Sequence, residues 1–336
     1  MPESFGLVFV IVLMALIFDF INGFHDTANA VATSIATGAL SPRRAIIWAS
    51  VLNFLGAVLF TGVAHTIGAE IADPAQLENG LPVIMAALMS AVTWNLFTWY
   101  LGIPSSSSHA LIGSLAGAAA AAAGWETVNK AGLWHIIQAL IISPLLAMAT
   151  GFFIMSLCKR LIPPSSAAKA DHYFRKLQVI TAFFQAFSHG TNDAQKTMGV
   201  ITFALVAAGL QPDCRTIPLW VKITAALAMA AGTSVGGWRI IYTVSQRITR
   251  LRPPNAFSAD LSSAGIIITA TLLHLPVSTT HVISSSVVGA GISGGVNAVN
   301  WQTVRSMICA WLVTLPVSFI SGTIIYRLLS AFMEYI

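Results

Sequence analysis

Apolar and polar positions in this chain alternate on the scale of whole helices. Apolar stretches run at 5–22, 27–40, 44–68, 81–101, 106–123 and 133–158. A polar bridge at 159–176, "KRLIPPSSAAKADHYFRK", separates them from six more at 177–188, 194–209, 218–238, 257–275, 278–293 and 303–329. Runs such as "LPVIMAALMSAVTWNLFTWYLG" reach the roughly 20 apolar residues that a helix needs to cross a bilayer. The ~10-residue alternating segments of a membrane barrel are missing. The pattern predicts an all-α chain with matched sets of helices on either side of the bridge.

Composition turns that pattern into a class. Of 336 residues, 56% are hydrophobic and 9% charged, against roughly 25% charged in a soluble domain. So few charges cannot cover a water-facing surface, and the chain reads as a multi-pass integral protein of the cell membrane. No short, basic-flanked leader with a cleavage site is expected ahead of the first stretch. The net charge of +5 belongs to basic loops and does not point to nucleic acid. Cys158, Cys214 and Cys309 are scattered and suggest neither a disulfide framework nor a metal cluster.

The two sets of stretches match in motif. "NGFHDTAN" (22–29) aligns with "HGTNDAQK" (189–196), pairing Gly23 with Gly190 and Asp26 with Asp193. "PSSSSH" (104–109) aligns with "PVSTTH" (276–281), pairing Pro104 with Pro276 and His109 with His281. This order implies an internal duplication, with repeats at 1–158 and 177–336 joined by a cytoplasmic linker at 159–176. Charge orients the copies. Arg43 and Arg44 precede the third stretch, whereas Glu70, Asp73 and Glu78 follow it; the second half places Arg239, Arg247, Arg250 and Arg252 after its third stretch. By the positive-inside rule the copies are upside down relative to each other. The pairs 81–123 and 257–293 are then re-entrant hairpins, and both termini are extracytoplasmic.

Inverted repeats with interrupted helices are the recurring architecture of secondary transporters. Pro104 and Pro276 mark two interruptions, and hydroxyls follow in helix N-cap and first-turn positions. A helix start leaves about four N–H groups unpaired and carries partial positive charge. With Ser105, Ser106, Ser107, Ser108, Ser278, Thr279 and Thr280 alongside, two such starts form an anion cage without lysine or arginine. Single serines in membrane helices serve close packing; a Pro–hydroxyl–His unit present twice points to a site. His109 and His281, one residue beyond, suit hydrogen bonding to an anion or helix packing equally.

Asp26 and Asp193 supply buried acids, each costing about 2.5–3.5 kcal/mol at a membrane-helix centre, and such residues are functional candidates by default. Gly23 and Gly190 are expected to let the helix unwind beside them. Hydrogen phosphate offers O–H groups that a carboxylate accepts; sulfate at neutral pH has none to give.

"GFHDTANAVAT" and "SHGTNDAQKTMGVI", with the two Pro–hydroxyl hairpins, resemble the inorganic phosphate transporter (PiT) family of cation-coupled symporters along essentially the whole chain. The resemblance implies inverted repeats, external termini, a homodimer, and a central site for phosphate with coupling cations. The family motif reads G-A-N-D-V-A-N-A in both halves. Where positions match, it gives binding roles to Asp26, Asn29, Asn192, Asp193, Ser106–Ser108 and Ser278–Thr280. His25 replaces the first asparagine in one copy, and Gln195 and Lys196 depart in the other. A lysine cannot ligate sodium, its ammonium can fill a sodium position, and a buried lysine or a histidine can exchange protons. These departures resemble the bacterial low-affinity, proton-driven branch, whose cargo can be a neutral metal–phosphate complex. No resident cofactor is implied. Bringing a dianion in against 100 mV costs about 4.6 kcal/mol, twice ~2.3 per charge, so at least two positive charges must accompany it. His25, Asp26, Asp193 and Lys196 are the groups placed to hold them. Sodium coupling and sulfate cargo are the alternatives within this fold; a serine hydrolase and a passive anion channel are the rivals outside it, and duplication of every polar element argues against the hydrolase.

Overall fold

The computed structural model describes residues 2–69, 71, 80–161 and 167–334. Among these the chain is helical, with a single isolated antiparallel bridge between Thr249 and Val299. The helices are α1 (Pro2–Ala36), α2 (Pro42–Leu59), α3 (Gly62–Ala69), α4 (Gly80–Leu101), α5 (Ser107–Ala123), α6 (Lys130–Leu161), α7 (Ala167–Ala207), α8 (Leu219–Val235), α9 (Trp238–Tyr242), α10 (Pro253–Leu272), α11 (Thr279–Ile292) and α12 (Trp301–Glu334). Four are long and apolar enough to cross a membrane over Phe5–Ala36, Gly80–Leu101, Lys130–Leu161 and Trp301–Met333. A fifth span is available if Leu219–Val235 and Trp238–Arg247, bent by 63°, count together. α6 and α12 present Leu145, Phe153, Leu157, Leu312, Ile320 and Leu328 outward, while the polar residues of α1 from Asp19 on and of α7 from Gln178 on are buried. That inside-out arrangement is what a hydrocarbon solvent selects.

Contacts recur in pairs. α5 packs on α12 and α11 on α6; α2 packs on α7 and α8 on α1. Ser114 Oγ donates to Ser90 at 2.8 Å, and Ser286 Oγ to Ser262 at 3.3 Å. A Cβ at Gly322 would meet the Ser114 backbone, and one at Gly151 the Ser286 backbone.

Two interruptions fall where expected. α4 ends at Leu101 and α5 begins at Ser107; α10 ends at Leu272 and α11 begins at Thr279. Gly102 (φ +67°) turns the first break and His274 (φ +61°) the second. Ser106 Oγ accepts from His109 N at 3.1 Å and Ser278 Oγ from His281 N at 3.3 Å, as N-caps do.

The expected unwinding at Gly23 and Gly190 is not observed: α1 and α7 run unbroken through both. A helical glycine costs only about 1 kcal/mol, whereas opening backbone hydrogen bonds in a membrane costs several per group. Close packing is what the missing side chains serve. A Cβ at Gly23 would strike the backbone of Met229 and Thr233 in α8, and one at Gly190 the backbone of Asn53 in α2. The stretches 5–22 and 27–40 thus merge into one helix, as do 177–188 and 194–209. The bridge 159–176 is also mostly helix, since α6 continues to Leu161 and α7 starts at Ala167. Its charges lie on helix ends, where Asp171 pairs with Arg252 at 2.9 Å. Glu70, Asp73 and Glu78, used to orient the first repeat, lie outside the described residues.

Candidate functional site

α1 carries Asp19, Asn22, Asp26, Asn29 and Thr33, and the turn after it Thr37, at intervals of three and four residues, so the helical ones fall on one face. α7 carries Gln178, Thr181, Gln185, His189, Asn192 and Lys196 in the same way. All are buried. The two faces meet in opposite order. Thr37 Oγ1 donates to Gln178 at 2.6 Å, Gln185 Nε2 donates to the Asn29 carbonyl at 3.4 Å, and Asp19 lies against Thr197. α1 and α7 are therefore antiparallel, with a polar seam between them.

The two broken hairpins close on the middle of this seam. Ser107 Oγ, in the first turn of α5, donates to Asp26 Oδ2 at 3.2 Å. Thr280 Oγ1, in the first turn of α11, donates to Asp26 Oδ1 at 3.2 Å. Thr279 Oγ1 donates to Asp193 Oδ2 at 2.8 Å. Ser108 Oγ crosses to the Val277 carbonyl at 3.1 Å, tying one hairpin to the other. Of the first-turn amides, those of His109 and His281 donate to the Ser106 and Ser278 caps; a helix start leaves the others without an intrahelical acceptor.

Each carboxylate has a nitrogen partner. His25 Nδ1 lies 2.6 Å from Asp26 Oδ1, and His25 Nε2 lies 3.2 Å from Thr98 Oγ1. Lys196 Nζ pairs with Asp193 Oδ1 and also donates to the Val277 carbonyl at 3.0 Å. His189 Nε2 lies 3.0 Å from Asp193 Oδ2. One ligand atom from each of Asp26, His189 and Asp193 lies within 4.8 Å of the others, close enough for a small cation to touch all three.

The remaining residues of the sequence reading stand further back. Ser105 Oγ donates to Thr98 at 2.8 Å, behind His25. Ser106 and Ser278 are caps. Asn29 Nδ2 donates to Thr280 at 2.9 Å and so holds that hydroxyl in place. Asn192 uses its amide on the break before α11, donating to Thr271 and the Leu275 carbonyl and accepting from Val277 N at 3.3 Å. Gln195 Oε1 accepts from Val63 N and Ala64 N, so this departure caps α3. Pro104 and Pro276 lie in the breaks. The His109 and His281 rings pack at a tilt with centroids 4.6 Å apart, and His281 stacks on Trp311 at 4.0 Å, which places them in packing between the hairpins and α12.

Sequence reasoning missed His189, Thr98, Asn53 and Asp19. Asn53 Oδ1 lies 3.1 Å from His189 Nδ1, and its Nδ2 donates to Thr233 at 3.0 Å. The available signal was the three-and-four spacing of polar residues in otherwise apolar helices.

Residues 22–322 match the phosphate transporter family. The chain belongs to that family. It is 56% identical over 324 residues to a protein of Bacillus subtilis (strain 168) named probable low-affinity inorganic phosphate transporter, covering 96% of this chain and 97% of that one. It is 40% identical over 325 residues to a protein of the same name from Rhizobium meliloti (strain 1021), covering 96% of each chain. Among solved structures it is similar in fold to one described as the sodium-dependent phosphate transporter, with a TM-score of 0.87, 24% identity, and coverage of 97% of this chain and 99% of the other. These relatives are named as transporters, not enzymes.

Proposed function

We propose that the protein is a secondary active symporter that imports inorganic phosphate together with protons, by alternating access at the site where α5, α11, α1 and α7 meet. Family membership supports the cargo. The observation that carries the mechanism is that Ser107, Thr279 and Thr280, the donors suited to an oxyanion, are donating to Asp26 and Asp193 instead.

An arriving hydrogen phosphate competes with two carboxylates for those hydroxyls. Two unit negative charges 4 Å apart repel by about 4 kcal/mol at an effective dielectric of 20, so the anion enters only with positive charge to offset the acids. A protonated carboxyl, or one accepting the O–H of hydrogen phosphate, meets that need. Lys196 holds its positive charge against Asp193 between cycles, and His25 lies against Asp26. The antiparallel pairing of α1 and α7, which carry the same motif in the same direction along the chain, supports inverted repeats at 1–158 and 177–336. The loop charges favour re-entrant hairpins and external termini, the family likeness favours external termini and a homodimer, and cysteine labelling and cross-linking in the membrane test them.

The close approach of Asp26, His189 and Asp193 favours a second reading, in which a sodium ion or a divalent metal travelling with phosphate offsets the charge. Radiolabelled phosphate uptake into proteoliposomes, under separately imposed proton and sodium gradients, decides between them. Concentration of phosphate by a proton gradient in sodium-free buffer supports the proposal. Uptake driven by sodium at clamped pH, with no response to protons, overturns it.

A further inference from the structure

Phosphate binding leaves two buried acids unused among the described residues, Asp260, which accepts from Thr33 at 2.7 Å, and Asp19. Asp19 lies two turns before Asp26 on the polar face of α1, is fully buried, and has no hydrogen-bond partner for either carboxylate oxygen among the described residues. Asn22 and Thr197 stand beside it, and the Asn22 amide and Thr197 hydroxyl are likewise buried and unpartnered. The charged side chains that bear on it from the helices packed against α1 are Lys196 and Asp193 of α7. Lys196 is already held by Asp193 and the Val277 carbonyl.

The Asn22 amide and the Thr197 hydroxyl are the donors within its reach, and a fully buried ionised carboxylate with no cation of its own is too costly to persist. A carboxyl group with a proton is not, and Asn22 Oδ1 and Thr197 Oγ1 are acceptors for its O–H. We propose that Asp19 carries one of the coupled protons, an inference that rests on the proton-symport reading above. In the arrangement seen here Asp19 is protonated while Lys196 is held by Asp193. That proton enters from the side that supplies phosphate, so the loaded protein carries both. Once the site has opened to the cytoplasm and phosphate has left, the Asp19 O–H bond breaks, its proton passes to water there, and the Lys196 ammonium turns to the carboxylate that remains. Lys196 is the exchange partner that makes the two acids alternate.

The test is the steady-state accumulation of labelled phosphate in proteoliposomes as a function of imposed pH difference, for wild type and Asp19→Asn. This slope counts coupled protons and does not depend on how fast a variant works. Each proton contributes about a tenfold change in accumulation ratio per pH unit. Asp19→Asn is expected to lose about tenfold per pH unit relative to wild type, and Asp19→Glu to keep the wild-type slope. Equal slopes for wild type and Asp19→Asn overturn the inference. A wild type with no slope at all removes the proton-symport reading instead. Should Asp19→Asn fail to reconstitute, infrared difference spectra of the purified full chain supply the answer: the carbonyl band of a protonated carboxyl shifts in Asp19→Glu if Asp19 holds the proton. A band unaffected by that substitution overturns the inference.

Discussion

Ser107 and Thr280 start different helices, lie 173 positions apart in the chain, and donate to opposite oxygens of the same Asp26 carboxylate. This relationship makes the acid a stand-in for the anion. Whatever displaces Asp26 from the two hydroxyls must itself be an acceptor, and must bring a way to neutralise the displaced charge.

Ser107→Ala and Thr280→Val each remove one donor from the cage. A hydrogen bond to a charged partner contributes about 1.5–3 kcal/mol, so each variant is expected to weaken phosphate binding at least roughly tenfold. Calorimetric titration of the purified protein with phosphate checks this. Ser105→Ala, which touches Thr98 and not the carboxylates, is expected to cost less.

Lys196→Met leaves Asp193 buried with His189 and Thr279 but without its ammonium. Breaking a buried pair costs about 3–5 kcal/mol, so the single variant is expected to unfold at markedly lower temperature in detergent. Adding Asp193→Asn is expected to recover much of that loss. Thermal unfolding of both variants measures it; equal stabilities contradict the pairing.

Gly190→Ala is expected to destabilise by about 1–3 kcal/mol through overpacking, because the new methyl meets the Asn53 backbone. Gly23→Ala is expected to do the same against Met229. An unwinding hinge would behave differently: alanine there would slow transport while leaving the unfolding temperature alone.

The sequence shows the hairpin starts because their signals are local. Proline followed by hydroxyls is a cap pattern, and Ser106 and Ser278 are caps. The carboxylates are legible because an aspartate is costly in an apolar run. Their partners are not, since Ser107 reaches Asp26 across 81 positions and Thr280 across 254. Gly23 and Gly190 illustrate a genuine ambiguity: glycine marks both a bend and a close approach, and only the neighbouring helix distinguishes them. His189 aligns with Asn22, and its role emerges only when α7 is seen to face α1. Asp19 precedes the repeated motif and has no acidic counterpart in the second copy, so duplication does not reveal it.

Cysteines placed at Arg44 and Arg250, in a chain freed of Cys158, Cys214 and Cys309, are expected to react with an impermeant maleimide from the cytoplasmic side alone. Tags at either end are expected to be reached from outside intact cells. Labelling of the two arginine positions from opposite sides contradicts the inverted arrangement.

The most direct measurement is the structure of the phosphate-bound protein in a lipid nanodisc. An oxyanion is expected to contact Ser107 from one hairpin and Thr279 or Thr280 from the other, with Asp26 no longer accepting from both hydroxyls. An anion that touches one hairpin alone, or binds away from the α1–α7 seam, contradicts it.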